Sequence, residues 1–239
     1  MGGSIEMILS ANQPYFAPFP GFFFKAYLSD VFVILDDVQF PQGTTWVSRN
    51  RFKGPQGALW LTVPVWKKGL GLQGIHEVRI AYEGHWARKH LESLKTAYGH
   101  APYFLEHLDL IERLFSGEFE RLLDLNMAVI REMLHALGIE TELVLLSDLA
   151  VEGMGDRRLV EVCRRMGADF FLAQVSARKY LDPECFRSAG IGLKFFRPPC
   201  PVYPQLWGDF ISNLSTLDLI FNCGPKARDI LLECRHAQL

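Results

Sequence analysis

The stretch Val31–Asp37, which reads VFVILDD, is an uninterrupted apolar run that ends in two carboxylates. Such a run is typical of a strand that is covered on both faces, as in a parallel sheet. Short runs of the same kind occupy Ile5–Ser10, Phe170–Ala173 and Gly192–Phe196, and segments with helical spacing lie between them. This alternation predicts an α/β fold, with a Rossmann-like, open and mostly parallel sheet flanked by helices.

The other segments extend this pattern. We predict two further strands at Ala58–Val65 and Gly74–Ala81, and a helix near the end of the chain at Gly208–Phe221. Helical spacing dominates residues 83–138, which we expect to form a helical lobe. The 239 residues are enough to bury a substantial core, so we predict a single α/β domain over 1–239 that contains this lobe.

Composition excludes several classes of protein. The chain has 25 Lys and Arg against 27 Asp and Glu, a net charge of -2, which argues against a protein that coats nucleic acid. No apolar run approaches the ~18 residues of a membrane span, and we expect residues 1–6 to be a non-native or disordered leader. An odd number of widely spaced cysteines predicts free thiols in the cytoplasm and no metal site. They are Cys163, Cys185, Cys200, Cys223 and Cys234.

Polar side chains follow the predicted strands, where ligands bind in open α/β sheets. We therefore predict a substrate-binding site there. Its members are Asn12, Gln13 and Tyr15 after the first strand, Gln39 after the second, and Gln174 and Ser176 after the strand at Phe170.

Asp36 and Asp37 are the candidate catalytic residues. Neighbouring residues of a strand point to opposite sides, so these two carboxylates are not expected to act as one pair. One interpretation is that at least one of them binds a substrate amine, a hydroxyl or a metal. The other interpretation is an Asx turn that ends the strand. A carboxylate delivered to the edge of a sheet by a buried strand favours the first.

A cluster of cations and aromatic residues predicts an anion-binding surface. Arginine offers a planar fork that matches carboxylate or phosphate, and tryptophan offers a face for stacking. From Val38 to His76 the chain contains no acidic residue, so a small anionic substrate is the expected partner. The predicted binding residues of this cluster are Trp46, Arg49, Asn50, Arg51 and Lys53.

With these segments in place, the chain resembles the bacterial WbqC-like family, and the resemblance runs in order through most of its length. The matching residues are Gln13–Phe16, Pro18, Gly21–Phe23, Asp36–Phe40, Trp46, Arg49–Arg51, Trp60–Val65, Trp86, His90, Ala97–Tyr98, Ala101–Phe104, Asp156–Arg157, Tyr203–Gln205, Asp218, Leu219, Phe221, Asn222, Gly224 and Pro225.

The resemblance implies a role in the biosynthesis of O-antigen and related surface polysaccharides, with some relatives regarded as glycyl or aminoacyl transferases acting on amino sugars. The chain departs from the pattern of this family at Ala173–Ser176, where we expect a turn of the Ser-Gly-Pro type. This departure leaves the identity of the substrate open. A fainter similarity to ligases of the pantothenate-synthetase type lies in the loop after the first strand and in Val38–Phe40, although the histidine pair of those enzymes is missing.

Three hypotheses follow, of which we prefer the first. The chain is an enzyme that transfers an acyl or aminoacyl group to an amino-sugar nucleotide, with Asp36 or Asp37 accepting the proton of the acceptor amine. Alternatively, it is a nucleotide-dependent ligase or nucleotidyltransferase in which the aspartates hold magnesium and Lys53 holds phosphate. The third hypothesis is a non-catalytic binding module of a polysaccharide-assembly complex. The oligomeric state stays open.

Overall fold

The computed structural model of the chain describes residues 6–233, and its centre is a five-stranded parallel sheet. Most of the predicted leader and Cys234 lie outside the described residues. A separate two-stranded antiparallel hairpin accompanies the sheet. The strands are β1 (Ile8–Asn12), β2 (Val31–Ile34), β3 (Arg49–Gly54), β4 (Gly57–Thr62), β5 (Glu142–Leu145), β6 (Phe170–Gln174) and β7 (Gly192–Phe196).

The strand order of the sheet is β5-β2-β1-β6-β7, so β1 lies at its centre. It pairs in parallel with β2, where Leu9 is opposite Val31, and with β6, where Leu9 is opposite Phe171. The chain builds outward from β1 through β2 to β5, and then returns to place β6 on the other side. The boundary between β1 and β6 is therefore the topological switch point of the sheet.

Helices flank this sheet, which confirms the predicted α/β class. Within the described range, no helix is both long enough and apolar enough to cross a membrane. The helices are α1 (Pro20–Tyr27), α2 (Trp86–Tyr98), α3 (Leu108–Leu114), α4 (Leu122–Ala136), α5 (Gly155–Met166), α6 (Pro183–Arg187), α7 (Thr216–Cys223) and α8 (Ala227–Glu233).

The two faces of the sheet enter two different apolar cores. Phe32 and Ile34 of β2 belong to a large core that also contains the buried side chains of α1, α2, α3, α4 and α7. Val31 and Val33 belong to a smaller core with α5 and α6. Because successive side chains of a strand point to opposite faces, the unbroken apolar run of β2 is what burial on both faces requires. Helices α2 to α4 occupy the range of the predicted lobe and share the large core with α1.

Two predicted segments were wrong, and one strand was not predicted. The strand without a prediction is β3, which pairs with β4 from Arg49 opposite Thr62 to Gly54 opposite Gly57. The predicted strand Gly74–Ala81 contains instead a 3-10 turn at Ile75–Glu77, with only isolated bridges around it. The predicted helix Gly208–Phe221 begins only at Thr216, where the hydroxyl of Ser215 caps it by accepting from the backbone N–H of Leu217.

Two buried asparagines anchor the loop that follows β1. The amide nitrogen of Asn50 donates to the carbonyl oxygens of Phe16 (3.0 Å) and Ala17 (2.7 Å). The amide nitrogen of Asn126, on α4, donates to the carbonyl oxygens of Pro14 and Val47, both at 2.8 Å. Buried carbonyl groups of an irregular loop need such partners, since water does not reach them.

Replacing Asn126 with alanine therefore leaves two buried carbonyl oxygens without a donor. We expect Asn126→Ala to lower the free energy of unfolding by about 1–3 kcal/mol, measured by urea denaturation. The matched control is Asn222→Ala, which removes one bond to the carbonyl oxygen of Asp218 at a half-buried position. An effect of Asn126→Ala no larger than that of the control would contradict this anchoring role.

Candidate ligand-binding site

A cavity of about 250 Å³ opens at the switch point, between the carboxyl ends of β1 and β6. Its wall is mostly apolar, and a small number of polar side chains converge on it. This is the composition expected of a small-molecule site, in which apolar walls supply contact area and few polar groups set orientation. The polar members are Asn12, Tyr15, Lys25, Gln174 and Ser176.

Four of these five residues were predicted from the sequence, and the strands explain their convergence. Asn12 is the last residue of β1, two positions beyond the predicted end of that strand, and Gln174 is the last residue of β6. Ser176 lies in the 3-10 turn that follows β6. The side chains of Gln174 and Ser176 form no hydrogen bond to any other described residue, so both can bind a ligand.

Tyr15 reaches the cavity from the anchored loop. Burial raises the pKa of its phenol, and a hydrogen bond with the side chain of Asn12 opposes this effect. The phenol is therefore neutral at physiological pH and keeps its proton. A neutral phenol beside a cavity can donate a hydrogen bond to a ligand.

Lys25 is the member of the cavity that sequence reasoning missed. It lies on α1 and is almost fully buried. Its Nζ donates to the carbonyl oxygen of Ala11 at 2.8 Å and to Oδ1 of Asn12 at 2.7 Å, and it lies 5.5 Å from the ring centroid of Phe32. It forms no ion pair with any carboxylate among residues 6–233. Burial lowers the pKa of this amine to about 7.

The sequence did carry a signal for Lys25. It is the one charged residue of α1, whose sequence is PGFFFKAY. A lysine in the last turn of this short apolar helix has no solvated face to occupy, because neighbours at helical spacing such as Gly21, Phe22 and Ser29 are also buried. Such a residue is rarely buried without a partner, and a strongly shifted pKa in a cleft marks a candidate functional group.

Asp36 lies two residues after the end of β2 and is buried. Its carboxylate accepts hydrogen bonds from the hydroxyl (2.6 Å) and the backbone N–H (3.0 Å) of Ser147. Ser147 lies just after β5, so Asp36 joins the ends of two neighbouring strands. With both oxygens engaged, Asp36 is placed to support this edge of the sheet.

Asp37 is half-buried and points to another set of partners. Its Oδ2 forms an ion pair with Nη2 of Arg158, whose Nη1 also donates to the Asp37 carbonyl oxygen at 2.8 Å. Oδ1 of Asp37 lies 3.8 Å from Nδ1 of His76. Asp37, His76 and Arg158 do not line the cavity, although their sequence neighbours Leu35 and Leu159 do. Neither Arg158 nor His76 was predicted.

Two members of the predicted cationic cluster, Arg49 and Arg51, lie on the outer face of the β3–β4 hairpin. The guanidinium of Arg49 lies 3.9 Å above the ring of Trp60, and Trp60 stacks with Trp46 at 5.7 Å. Arg51 donates to the carbonyl oxygens of Ser212 and Asn213. Both indoles are partly exposed, so the hairpin presents aromatic and cationic groups together.

The remaining predicted residues have mainly structural surroundings. Asn50 is committed to the loop after β1, and Lys53 is buried, with its Nζ bonded to the carbonyl oxygen of Asp209. Gln13 is half-buried, and its carbonyl oxygen accepts from the side chain of Asn12. Gln39 is exposed and forms a bridge with Gly74. Roles of these four in binding stay predictions.

A larger groove of about 550 Å³ lies between the turn of the hairpin and α2, away from the sheet. It is lined by residues 54–59 and by Glu92, Ser93, Thr96 and Ala97. We place the site at the switch point instead, because the buried amine of Lys25 lines that cavity, whereas the charged residue of the groove, Glu92, is exposed. Within the described range, no cluster of three or more His, Cys, Asp or Glu side chains has a metal-binding arrangement.

Comparison with known proteins agrees with the resemblance noted in the sequence. The sequence model of the WbqC-like protein family matches residues 13–230. The chain belongs to the WbqC-like family. The matched range includes every polar residue of the cavity except Asn12, and it also includes the hairpin.

A relative of this WbqC-like protein is the uncharacterized protein Rv1507c of Mycobacterium tuberculosis. It is 34% identical over 225 residues, which cover 93% of this chain and 96% of the relative. No solved structure matches the chain. The comparisons therefore establish the family, while the arrangement of the cavity comes from the fold itself.

The buried amine of Lys25 makes the stability of the protein depend on pH. Its pKa rises from about 7 in the folded state to the ordinary value of 10.5 on unfolding, so the unfolded state binds more protons between these limits. The contribution of Lys25 to the free energy of unfolding therefore increases with pH across that window, by up to about 1.4 kcal/mol per pH unit. Below pH 7 the dependence disappears, because both states are protonated.

The test compares the free energy of unfolding of wild type with that of Lys25→Met, measured by urea denaturation at several pH values. We expect the value for wild type minus the value for the variant to increase between pH 7 and pH 9. Taking this difference cancels the titration of the other groups. Lys89→Met, at an exposed position of α2, is the control and is expected to give no such trend. A difference for Lys25→Met that does not change with pH would show that the amine is solvated.

Proposed function

We propose that this WbqC-like protein is a cytoplasmic transferase that joins an acyl or aminoacyl group, such as glycyl, to the amine of an amino-sugar nucleotide in O-antigen and surface-polysaccharide biosynthesis. The observation that carries the proposal is the cavity at the switch point, with polar groups from β1, α1 and β6 around it. Crevices at this place of an open α/β sheet bind the ligands of such folds. Family resemblance supplies the class of substrate.

The size of the cavity limits what it can enclose. A volume of about 250 Å³ is below the ~300–1,000 Å³ of pockets that enclose drug-sized ligands. A whole nucleotide-sugar does not fit, so in this proposal the cavity holds only the reacting end of one substrate. The rest of that substrate extends over the surface.

The hairpin is the proposed place for the anionic part of the substrate. Arg49 and Arg51 supply positive charge, and Trp46 supplies an exposed face on which a base or sugar ring can stack. The Nε groups of both arginines are buried without an acceptor among the described residues. Three of the residues predicted for anion binding thus occur on one surface.

Asp37 is the proposed proton acceptor. Amide formation requires an activated acyl donor to release its leaving group and the acceptor amine to lose a proton, which a carboxylate within hydrogen-bond reach can take. Asp37 is the more accessible of the two candidate aspartates, and Nδ1 of His76 lies 3.8 Å from its Oδ1. Asp36, whose oxygens bond to Ser147, has a positioning role in this scheme.

A second candidate function is a nucleotide-dependent ligase or nucleotidyltransferase, with magnesium held at Asp37. The observation in its favour is the sheet order, since folds whose sheet is built outward from a central first strand bind nucleotides at the switch point. This function predicts that ATP with magnesium stabilises wild type and that Asp37→Asn removes the effect.

Binding of a nucleotide-sugar is the first test of the transferase. We expect at least one member of a panel of amino-sugar nucleotides to raise the melting temperature of wild type, with about 2–4 °C for each kcal/mol of binding. Gln174→Ala is expected to reduce the shift, because it removes a polar group of the cavity. Gln42→Ala, at an exposed position remote from the cavity lining, is the control. Absence of any stabilising member would refute the proposed substrate class.

Catalysis by Asp37 is tested with the stabilising nucleotide-sugar as acceptor and an activated acyl or glycyl compound as donor. We expect Asp37→Asn to lower kcat about 100- to 10,000-fold with little change in KM, as removal of a general base does. The control is Asp148→Asn, at an exposed position of the turn after β5. Equal kcat values for Asp37→Asn and wild type would remove Asp37 from the mechanism.

A further inference from the structure

The cavity at the switch point has an uncompensated cationic group. Among the residues that line it, only Lys25 and Tyr15 titrate, and burial keeps the phenol of Tyr15 neutral. The elements packed around Lys25 contribute the carbonyl oxygen of Ala11, the amide of Asn12 and the ring of Phe32, all of which are uncharged. The site is therefore short of one negative charge whenever the amine is protonated.

We infer that this cavity binds a carboxylate group of a small ligand, and that Lys25 is its charged partner. The inference deepens the proposed function by naming the chemistry of one substrate group. It rests on that function only for the assignment of this group to a substrate of the reaction.

The hydrogen bonds of Lys25 leave room for this partner. A protonated amine has three N–H donors, and two of them are used by Ala11 and Asn12. The third has no acceptor within the described part of the chain. A carboxylate oxygen in the cavity would accept from it, and such charge-assisted bonds are the strong ones in a low dielectric.

Neutral donors complete the surroundings of the carboxylate. The phenol of Tyr15 keeps its proton, and the side chains of Gln174 and Ser176 carry donors that bond to no described residue. A carboxylate has about four lone-pair sites, which three or four such donors can satisfy.

Charge balance favours a carboxylate over a phosphate monoester. The cavity supplies one cation, and its other lining residues include Leu35, Phe171 and Leu181, which cannot solvate a second charge. A phosphate monoester carries close to two negative charges at neutral pH, so one of them would be buried without compensation. A carboxylate carries a single charge and matches the amine.

Binding of a carboxylate is then linked to uptake of a proton. The pKa of Lys25 in the free protein is about 7, so at pH 8 the amine is mostly neutral. An opposite charge within ~4–6 Å favours the protonated form and raises the pKa of an amine by about 1–3 units. A bound carboxylate is therefore expected to raise the pKa of Lys25. A neutral molecule of the same shape is expected to leave this pKa unchanged.

The experiment is an NMR titration of the full chain labelled with ¹³C at the ε carbon of lysine. Lys25→Met identifies the signal of Lys25 by its loss, and the pKa is read from the shift against pH. The probes are propionate, its neutral isostere propionamide, and inorganic phosphate, at equal ionic strength. We expect propionate to raise the pKa of Lys25 by about one unit or more, and propionamide to leave it unchanged.

Other outcomes decide against the inference. A pKa that responds neither to propionate nor to acetate, lactate and benzoate would overturn it, as would a larger response to phosphate than to all four carboxylates. An equal change in the signal of Lys89 would identify a general salt effect and would also overturn it. If Lys25→Met does not fold, Lys25→Arg assigns the signal equally well, because it also removes the labelled lysine.

The response of the Lys25 pKa to carboxylates is measured without turnover and without a nucleotide-sugar. Failure of carboxylate binding would leave the response to nucleotide-sugars intact, whereas failure of the transferase would leave the shift of the Lys25 pKa intact. The two proposals are therefore separated by their measurements.

Discussion

Hydrogen bonding of β1 to β2 on one side and to β6 on the other brings together the polar groups that line the cavity. The two neighbours belong to halves of the chain that are far apart in sequence, and the strand ends of both halves meet at β1. Asn12, Gln174 and the helix that carries Lys25 are adjacent for this reason alone. A shift in register by one residue would turn Asn12 to the other face of the sheet and remove the acceptor of Lys25.

The burial of Lys25 destabilises the folded state. Removing a charged amine from water is costly, and the protein reduces this cost by lowering the pKa and by supplying two acceptors rather than a carboxylate. A leucine or methionine in the same place would bury apolar surface without this penalty. An amine that is retained under such conditions, beside a cavity, is best explained by a ligand that compensates its charge.

The polar groups of this protein divide into anchors and groups that remain open to a ligand. Asn50, Asn126 and Asp36 are buried, and their hydrogen bonds join loops and strand ends to one another. Gln174 and Ser176 are not engaged in this way. Residue type does not distinguish the two groups, since asparagine, glutamine and aspartate were all predicted to bind substrate. The difference arises from which backbone groups each side chain meets after folding.

The sequence by itself determined the α/β class, because a run such as Val31–Leu35 is stable only with both faces covered, and it determined that polar residues follow the strands. It also contained the alternation of β3, with Asn50 and Phe52 inward and Arg49 and Arg51 outward, which the many charges obscured. Only the tertiary structure decided that β6 pairs with β1, that Asp36 bonds to Ser147 and that Lys25 faces the cavity without a counter-ion among residues 6–233. The first two facts depend on contacts between residues distant in the chain, which a local pattern does not reveal. The single lysine of α1 indicated a buried amine but not the cavity that it faces.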